Sequence, residues 1–187
     1  MLTVYHGSPY KFDQFDPTKI GLRATSEGYG FYFTNNKFIA SNYAAGGYLY
    51  TVSFDGKKSL SSTEKTITRP QLRRFLAKLH ETSNGDFLDN FQEVAYHGMQ
   101  KVLSYTTNLH YDYNDDDVDI IATICNAYGS KEPLKILYEM LGYDHIKTLA
   151  EWSHDGEENM LYIALVNDVI TIKSVEEIPL ERTSSQT

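Results

Sequence analysis

Two stretches decide how the chain is read: Tyr5-His6-Gly7-Ser8, and Gly28-Tyr29-Gly30-Phe31-Tyr32-Phe33-Thr34-Asn35 followed by Ala40-Ser41-Asn42-Tyr43. The first closes the β-branched, alternating run Leu2-Thr3-Val4-Tyr5, which predicts a strand stopping at His6-Gly7-Ser8-Pro9, where a functional loop begins. The second predicts a short strand over Gly30–Thr34, after which Asn35 or Asn36 can cap a helix running through Phe38, Ile39, Ser41 and Asn42 to Tyr43. Residues 10–27 between them are mixed and polar, with Pro17 and Gly21 as breakers, and suit a loop crossing a surface. Tyr48 to Phe54 alternates again as a third strand, stopped by Asp55-Gly56.

Farther out the period changes. After Thr68 or Arg69 as cap and Pro70 in the first turn, Leu72, Phe75, Leu76 and Leu79 recur at helical spacing. Val94, Met99, Val102 and Leu103 suggest a second helix in this region, Ile120, Ile121, Ile124 and Cys125 a third, and Pro133 to Leu141 a fourth that ends at Gly142. Asp144 to Leu149 and Met160 to Ile172 return to β-rich composition, with Asn167-Asp168 as a hairpin turn. The expectation is an α+β chain with strands at both ends: one domain over 1–175, a helical insertion at about 58–141, and a loose tail over 176–187.

Composition narrows the class. With 187 residues, 41% of them hydrophobic, the chain can bury one sizeable core, and its length favours one domain over two. A formal charge of -8 and a pI near 5.2 argue against general adhesion to nucleic acid or to an anionic membrane. Between Asp55 and Lys78, however, seven cations (Lys57, Lys58, Lys65, Arg69, Arg73, Arg74, Lys78) face two anions (Asp55, Glu64), a segment of +5 that could steer an acidic partner. The lone Cys125 permits no internal disulfide, and neither a secretory leader nor a membrane-length apolar run is visible, so a cytoplasmic location and no membrane partner are expected. Fifteen tyrosines and nine phenylalanines are a heavy aromatic load, many of which must serve the core.

The two opening stretches, in their order and spacing, resemble the poly(ADP-ribose) polymerase and diphtheria-toxin-like branch of the ADP-ribosyltransferases, whose motif set is His, Tyr and usually Glu on three strands. Residues 1–54 and 142–172 also look like the ADP-ribosyltransferase domains of phage polyvalent proteins. The resemblance implies two small antiparallel-rich sheets framing an NAD+ cleft. It implies NAD+ as substrate, gripped by His6, Gly7, Ser8, Arg23, Tyr32, Ser41 and Tyr43, with His6, Tyr32 and a carboxylate as the catalytic set and no metal. The implied activity is mono-ADP-ribosyl transfer from NAD+ to a protein or nucleic acid, in a toxin or phage-related effector that a neutralising antitoxin could oppose. NAD+ glycohydrolysis and a catalytically inactive binding module are the alternatives.

Elementary chemistry is compatible with that set. Nicotinamide is flat and carries a carboxamide, so a site needs aromatic faces, here Tyr32 and Tyr43, and backbone groups for the amide, here at the side-chain-free Gly7. His6 would hydrogen-bond the adenosine ribose, with Ser8 beside it. Cleavage of the nicotinamide–ribose bond passes through an oxocarbenium-like state, which a carboxylate near the ribose stabilises. Two departures stand out. The pattern's serine three residues before the second tyrosine is Ala40 here, leaving Ser41 as the substitute. The catalytic Glu would open the strand over Met160–Leu165, where Met160 or Leu161 stands; Glu158, or else Glu157, just upstream, is the candidate, and if neither reaches, transfer proceeds without it or the domain is inactive.

Each residue also has a plain reading. His6 can be a hydrogen-bonded strand-end histidine, Tyr32 and Tyr43 can be core rings, and Asp155-Gly156-Glu157-Glu158 can be a solvated loop. Tyr96-His97-Gly98 repeats the first motif within a helical pattern and is taken as coincidence. Gly28-Tyr29-Gly30 leads into a strand with Phe33 at the third-glycine position, so it is no dinucleotide fingerprint. A calcium loop counted from Asp112 has Asp117 where Gly is required and Thr123 where Glu is required. Cys125 on an apolar helical face reads as a small core residue.

Overall fold

The computed structural model describes residues 1–20, 30–64, 66–83, 116–130, 132–150 and 159–179. Within them lie strands β1 (Leu2–Ser8), β2 (Phe31–Thr34), β3 (Tyr48–Phe54), β4 (Ser59–Ser61), β5 (His145–Leu149), β6 (Met160–Ala164) and β7 (Ile170–Glu177). Four α-helices are described: α1 (Lys37–Ala44), α2 (Arg69–Thr82), α3 (Asp117–Tyr128) and α4 (Glu132–Leu141). Helix starts follow the capping chemistry in the sequence. The Asn36 carboxamide oxygen accepts from the Phe38 and Ile39 N–H groups at 2.9 and 3.3 Å, and the Gln71 side chain accepts from the Thr68 N–H at 2.8 Å ahead of α2.

All seven strands belong to one sheet, in the order β4-β5-β6-β2-β1-β3-β7, antiparallel throughout except for the parallel β4–β5 pair. The sheet must curl. In a flat sheet β3 and β4 would stand five strand spacings apart, ~24 Å, yet the Asp55–Lys58 link between them can stretch only ~17 Å. The curl shows in the rings: Phe54 on β3 lies 5.1 Å from His145 on β5 and 5.7 Å from Tyr162 on β6.

Alternation along the strands then gives two different cores. The concave side holds an aromatic cluster that includes Phe15, Phe31, Phe33, Tyr50 and Phe54. The other side holds an aliphatic cluster that includes Leu60, Leu72, Ile121, Leu137, Ile146 and Ile163, covered by α2, α3 and α4. α1 packs on β1, β2 and β3. Buried carboxylates pin this framework at two places. Asp117, opening α3, accepts from the Thr66 hydroxyl at 3.0 Å and the Ile67 N–H at 2.9 Å; Asp144 accepts from the Lys57 N–H at 2.8 Å and the Lys58 N–H at 3.2 Å. Among the described residues no helix is long and apolar enough to cross a membrane.

The structure corrects several expectations. The strands form one sheet and not two; its halves, β4-β5-β6-β2 and β1-β3-β7, meet through the single residue pair Tyr5↔Thr34. β1 continues through His6 and Gly7 to Ser8 because β3 pairs with it along its whole length. The 58–141 segment is not purely helical: Ser59-Leu60-Ser61 joins the sheet edge as β4, too short to carry an alternation signal. Asn167-Asp168 is not a hairpin turn, since β6 pairs with β5 and β2 whereas β7 pairs with β3. The 3-10 turn Asn167–Val169 instead crosses the curl, held by Asn167 Nδ2 donating to the Phe15 carbonyl (2.8 Å) and by the Asp55 N–H donating to the Val169 carbonyl (2.9 Å). Residues 176 and 177, expected to open a loose tail, are part of β7, and the Ile178 N–H still bonds the Gly47 carbonyl at 2.8 Å; residues 180–187 lie outside the described residues. The helix expected around Val94–Leu103 lies outside the described residues.

Candidate active site

The site is set by the parting of β1 from β2. The strands are joined at Tyr5↔Thr34 alone, and toward Gly7 their pairing ceases. Counting outward from that pair sets Gly7 against Tyr32 on the face that carries α1, and His6 against Phe33 on the concave face.

Gly7 is required by a close approach. A Cβ at this position would overlap the Ala40 carbonyl oxygen and lie 2.6 Å from the Ala44 nitrogen, so α1 rests directly on the β1 backbone. Ala40 and Ala44 are the buried residues of α1 for the same reason. Tyr43 follows on the flank of that contact and is 61% exposed. Ser41 stands on the opposite flank, since about 100° of rotation per residue separates it from Tyr43 by close to half a turn. Its hydroxyl donates to the Lys37 carbonyl at 2.8 Å. Tyr32 is half-buried, with its ring against the aliphatic cluster.

His6 sits in a cage of rings: Phe15 at 5.1 Å, Phe33 at 5.7 Å, Phe12 and Tyr50 at 6.0 Å. Its Nδ1 lies 2.7 Å from the Tyr32 carbonyl oxygen, bridging the gap where the two strands part. A carbonyl only accepts, so Nδ1–H donates. Burial holds the His6 pKa below its usual 6.5 and outweighs the carbonyl bond, which pushes the other way. At neutral pH the ring is therefore uncharged, and Nε2 carries a lone pair able to accept from a hydroxyl. Ser8 is buried, and its hydroxyl oxygen accepts from the Tyr10 N–H at 3.1 Å, turning the chain into the loop that covers His6.

Thus His6, Gly7, Ser8 and Tyr32 are brought together around the strand gap, whereas Tyr43 and Ser41 leave α1 on opposite flanks. Arg23, Glu157 and Glu158 lie outside the described residues. The strand following the two glutamates begins in a defined place: Asn35 Oδ1 accepts from the Met160 N–H at 2.8 Å, and Asn36 Nδ2 donates to Asn159 Oδ1 at 2.9 Å, fastening the start of β6 to the cap of α1. Reading the sequence missed this clasp and the ring cage. The cage had a signal in the aromatic spacing Tyr10-Phe12-Phe15 within a stretch otherwise read as polar; the clasp had none. It also missed the buried pair in which His145 Nδ1 lies 2.6 Å from Asp144 Oδ1 at the start of β5. Among the described residues no group of three or more His, Cys, Asp or Glu side chains could hold a metal ion.

A glycine-floored contact between strand and helix, with a neutral histidine and Tyr32 at the adjoining strand gap, marks the candidate site of this mixed α/β domain. The family model described as ADP-ribosyltransferase in polyvalent proteins matches residues 1–176, and the chain belongs to that family. Comparison with curated proteins and with solved structures gave no match.

Proposed function

We propose that this domain transfers a single ADP-ribose from NAD+ to a macromolecule. The observation that carries the reading is the uncharged His6 beside Gly7 at the strand gap, with its Nδ1–H fixed on Tyr32 and its Nε2 left as an acceptor. In this reading Nε2 accepts from a hydroxyl of the adenosine ribose. The β1 edge at Gly7, past its last pairing with β2, offers backbone groups to the nicotinamide amide, and Tyr32 and Tyr43 sandwich the ring. Ser8 and Arg23 complete the grip, and Glu158 supplies the carboxylate that favours oxocarbenium character at the ribose. Ser41 is the weakest member, because its hydroxyl already bonds Lys37. The family's setting in polyvalent proteins supports a phage-related effector with a macromolecular acceptor.

Incubation of cell lysate with labelled NAD+ and the protein, followed by protease or nuclease digestion, tests this. Label lost to one digestion names the acceptor class; release of nicotinamide with no labelled macromolecule would select glycohydrolysis instead. One observation favours an inactive binding module: Ala40 is packed on Gly7, so the hydroxyl that the polymerase-like pattern holds there is missing. NAD+ binding by calorimetry without turnover would identify that outcome.

A further inference from the structure

Loop residues 9–20 lie over the concave face, and one side chain from the sheet holds them there. The Tyr50 ring is fully buried in β3, stacked on Phe12 with ring centres 4.1 Å apart and planes 10° from parallel. Its phenol oxygen accepts from the Phe12 N–H at 2.6 Å, and its one proton is shared between the Phe12 carbonyl at 3.1 Å and the Tyr10 carbonyl at 3.3 Å. Three main-chain groups of the loop thus converge on one hydroxyl carried by the strand that pairs with His6, for His6↔Tyr50 are register partners. The loop in turn brings Phe12 and Phe15 edge-on against the imidazole.

We propose that Tyr50 is a positioning residue for NAD+ capture: its hydroxyl latches loop 9–20 onto the sheet, closing the ring cage that shields the His6 imidazole and fixes its orientation. The proposal deepens the NAD+ reading and rests on it for the substrate, though the latch itself does not. A buried phenol is well suited to the task, since burial holds the Tyr50 pKa above its ordinary value and the donated proton stays in place. Among the described residues, the rings of Phe12, Phe15, Phe33 and Tyr50 and the carbonyl of Tyr32 face His6. Of these only Tyr50 titrates; the charged group acting on Tyr50 is Asp13, with Tyr48 beside it.

Tyr50→Phe keeps the ring and removes the latch. In full-length protein with labelled histidine, and with the His6 resonance identified by its loss in His6→Gln, the His6 titration is expected to move up toward 6.5 as water enters the cage. The KM for NAD+ is expected to rise about three- to tenfold, the equivalent of one lost hydrogen bond, with kcat nearly unchanged. Unchanged His6 titration in a folded Tyr50→Phe protein overturns the latch. If that variant does not fold, amide exchange in the wild type decides: the Phe12 N–H must be protected well beyond its neighbours Lys11 and Asp13, and equal exchange overturns it. Should the wild type bind no NAD+, the titration and exchange results still judge the latch, so its failure and that of the substrate reading are told apart.

Discussion

The two sides of the sheet are built from different materials. Under α2, α3 and α4 the core is mainly aliphatic, and the buried Asp117 carboxylate ties the start of α3 to Thr66 and Ile67. Inside the curl the core is rich in rings, and among them lie the Tyr50 hydroxyl and a histidine whose Nδ1 bonds the Tyr32 carbonyl. Aliphatic chains fill space without direction, whereas rings packed edge-on can surround an imidazole beside the point where β1 and β2 stop pairing. The helical side holds the fold, and it is the aromatic side that carries the histidine on which the proposed function rests.

That contrast is open to attack at several strengths. Phe75→Ala, on the helical side and fully buried, should cost about 3–5 kcal/mol in a denaturant titration, while the folded fraction binds NAD+ as tightly as the wild type. Lost affinity at equal folded fraction would blur the two roles. Gly7→Ala should cost about 3 kcal/mol, since the new methyl must push α1 off β1, and should also abolish NAD+ binding. A stable variant that binds NAD+ would mean that the close contact is dispensable.

His6→Gln should weaken NAD+ binding about tenfold at a cost of only about 1–2 kcal/mol in stability, as expected for one buried hydrogen-bonding group. The same residue fixes a pH dependence. Its folded pKa lies below the unfolded value of 6.5, so between the two the unfolded chain binds more protons. Stability from this source is complete above 6.5 and falls as the pH drops from there through the folded value. Comparing urea midpoints of wild type and His6→Gln across that window isolates the contribution; parallel curves would show that the ring is not held neutral by burial.

How much of this was legible in the sequence differs between the two sides. Alternation in Tyr48–Phe54 and helical spacing from Leu72 to Leu79 follow from local periodicity, and β3 and α2 lie where those periods put them. The Asn36 cap is equally local. His6 and Gly7 stood out because His-Gly-Ser followed by the tyrosine block resembles the ADP-ribosyltransferase motif set. What could not be read depends on partners distant in sequence: whether the halves form one sheet or two rests on the single pair Tyr5↔Thr34, and the path from β6 to β7 rests on contacts with Phe15 and Asp55. The Asn36–Asn159 clasp joins residues 123 positions apart, and nothing near either one signals the other.

Tyr43 separates the functional account from the structural one most cleanly, because it is exposed and its removal should leave stability within about 0.5 kcal/mol. Calorimetric titration of NAD+ into wild type and Tyr43→Ala, at matched melting temperature, is therefore the most direct test. The account predicts saturable binding by the wild type and affinity at least about tenfold lower for the variant, the loss of one stacking face. Equal affinities, or no binding by the folded wild type, would contradict it.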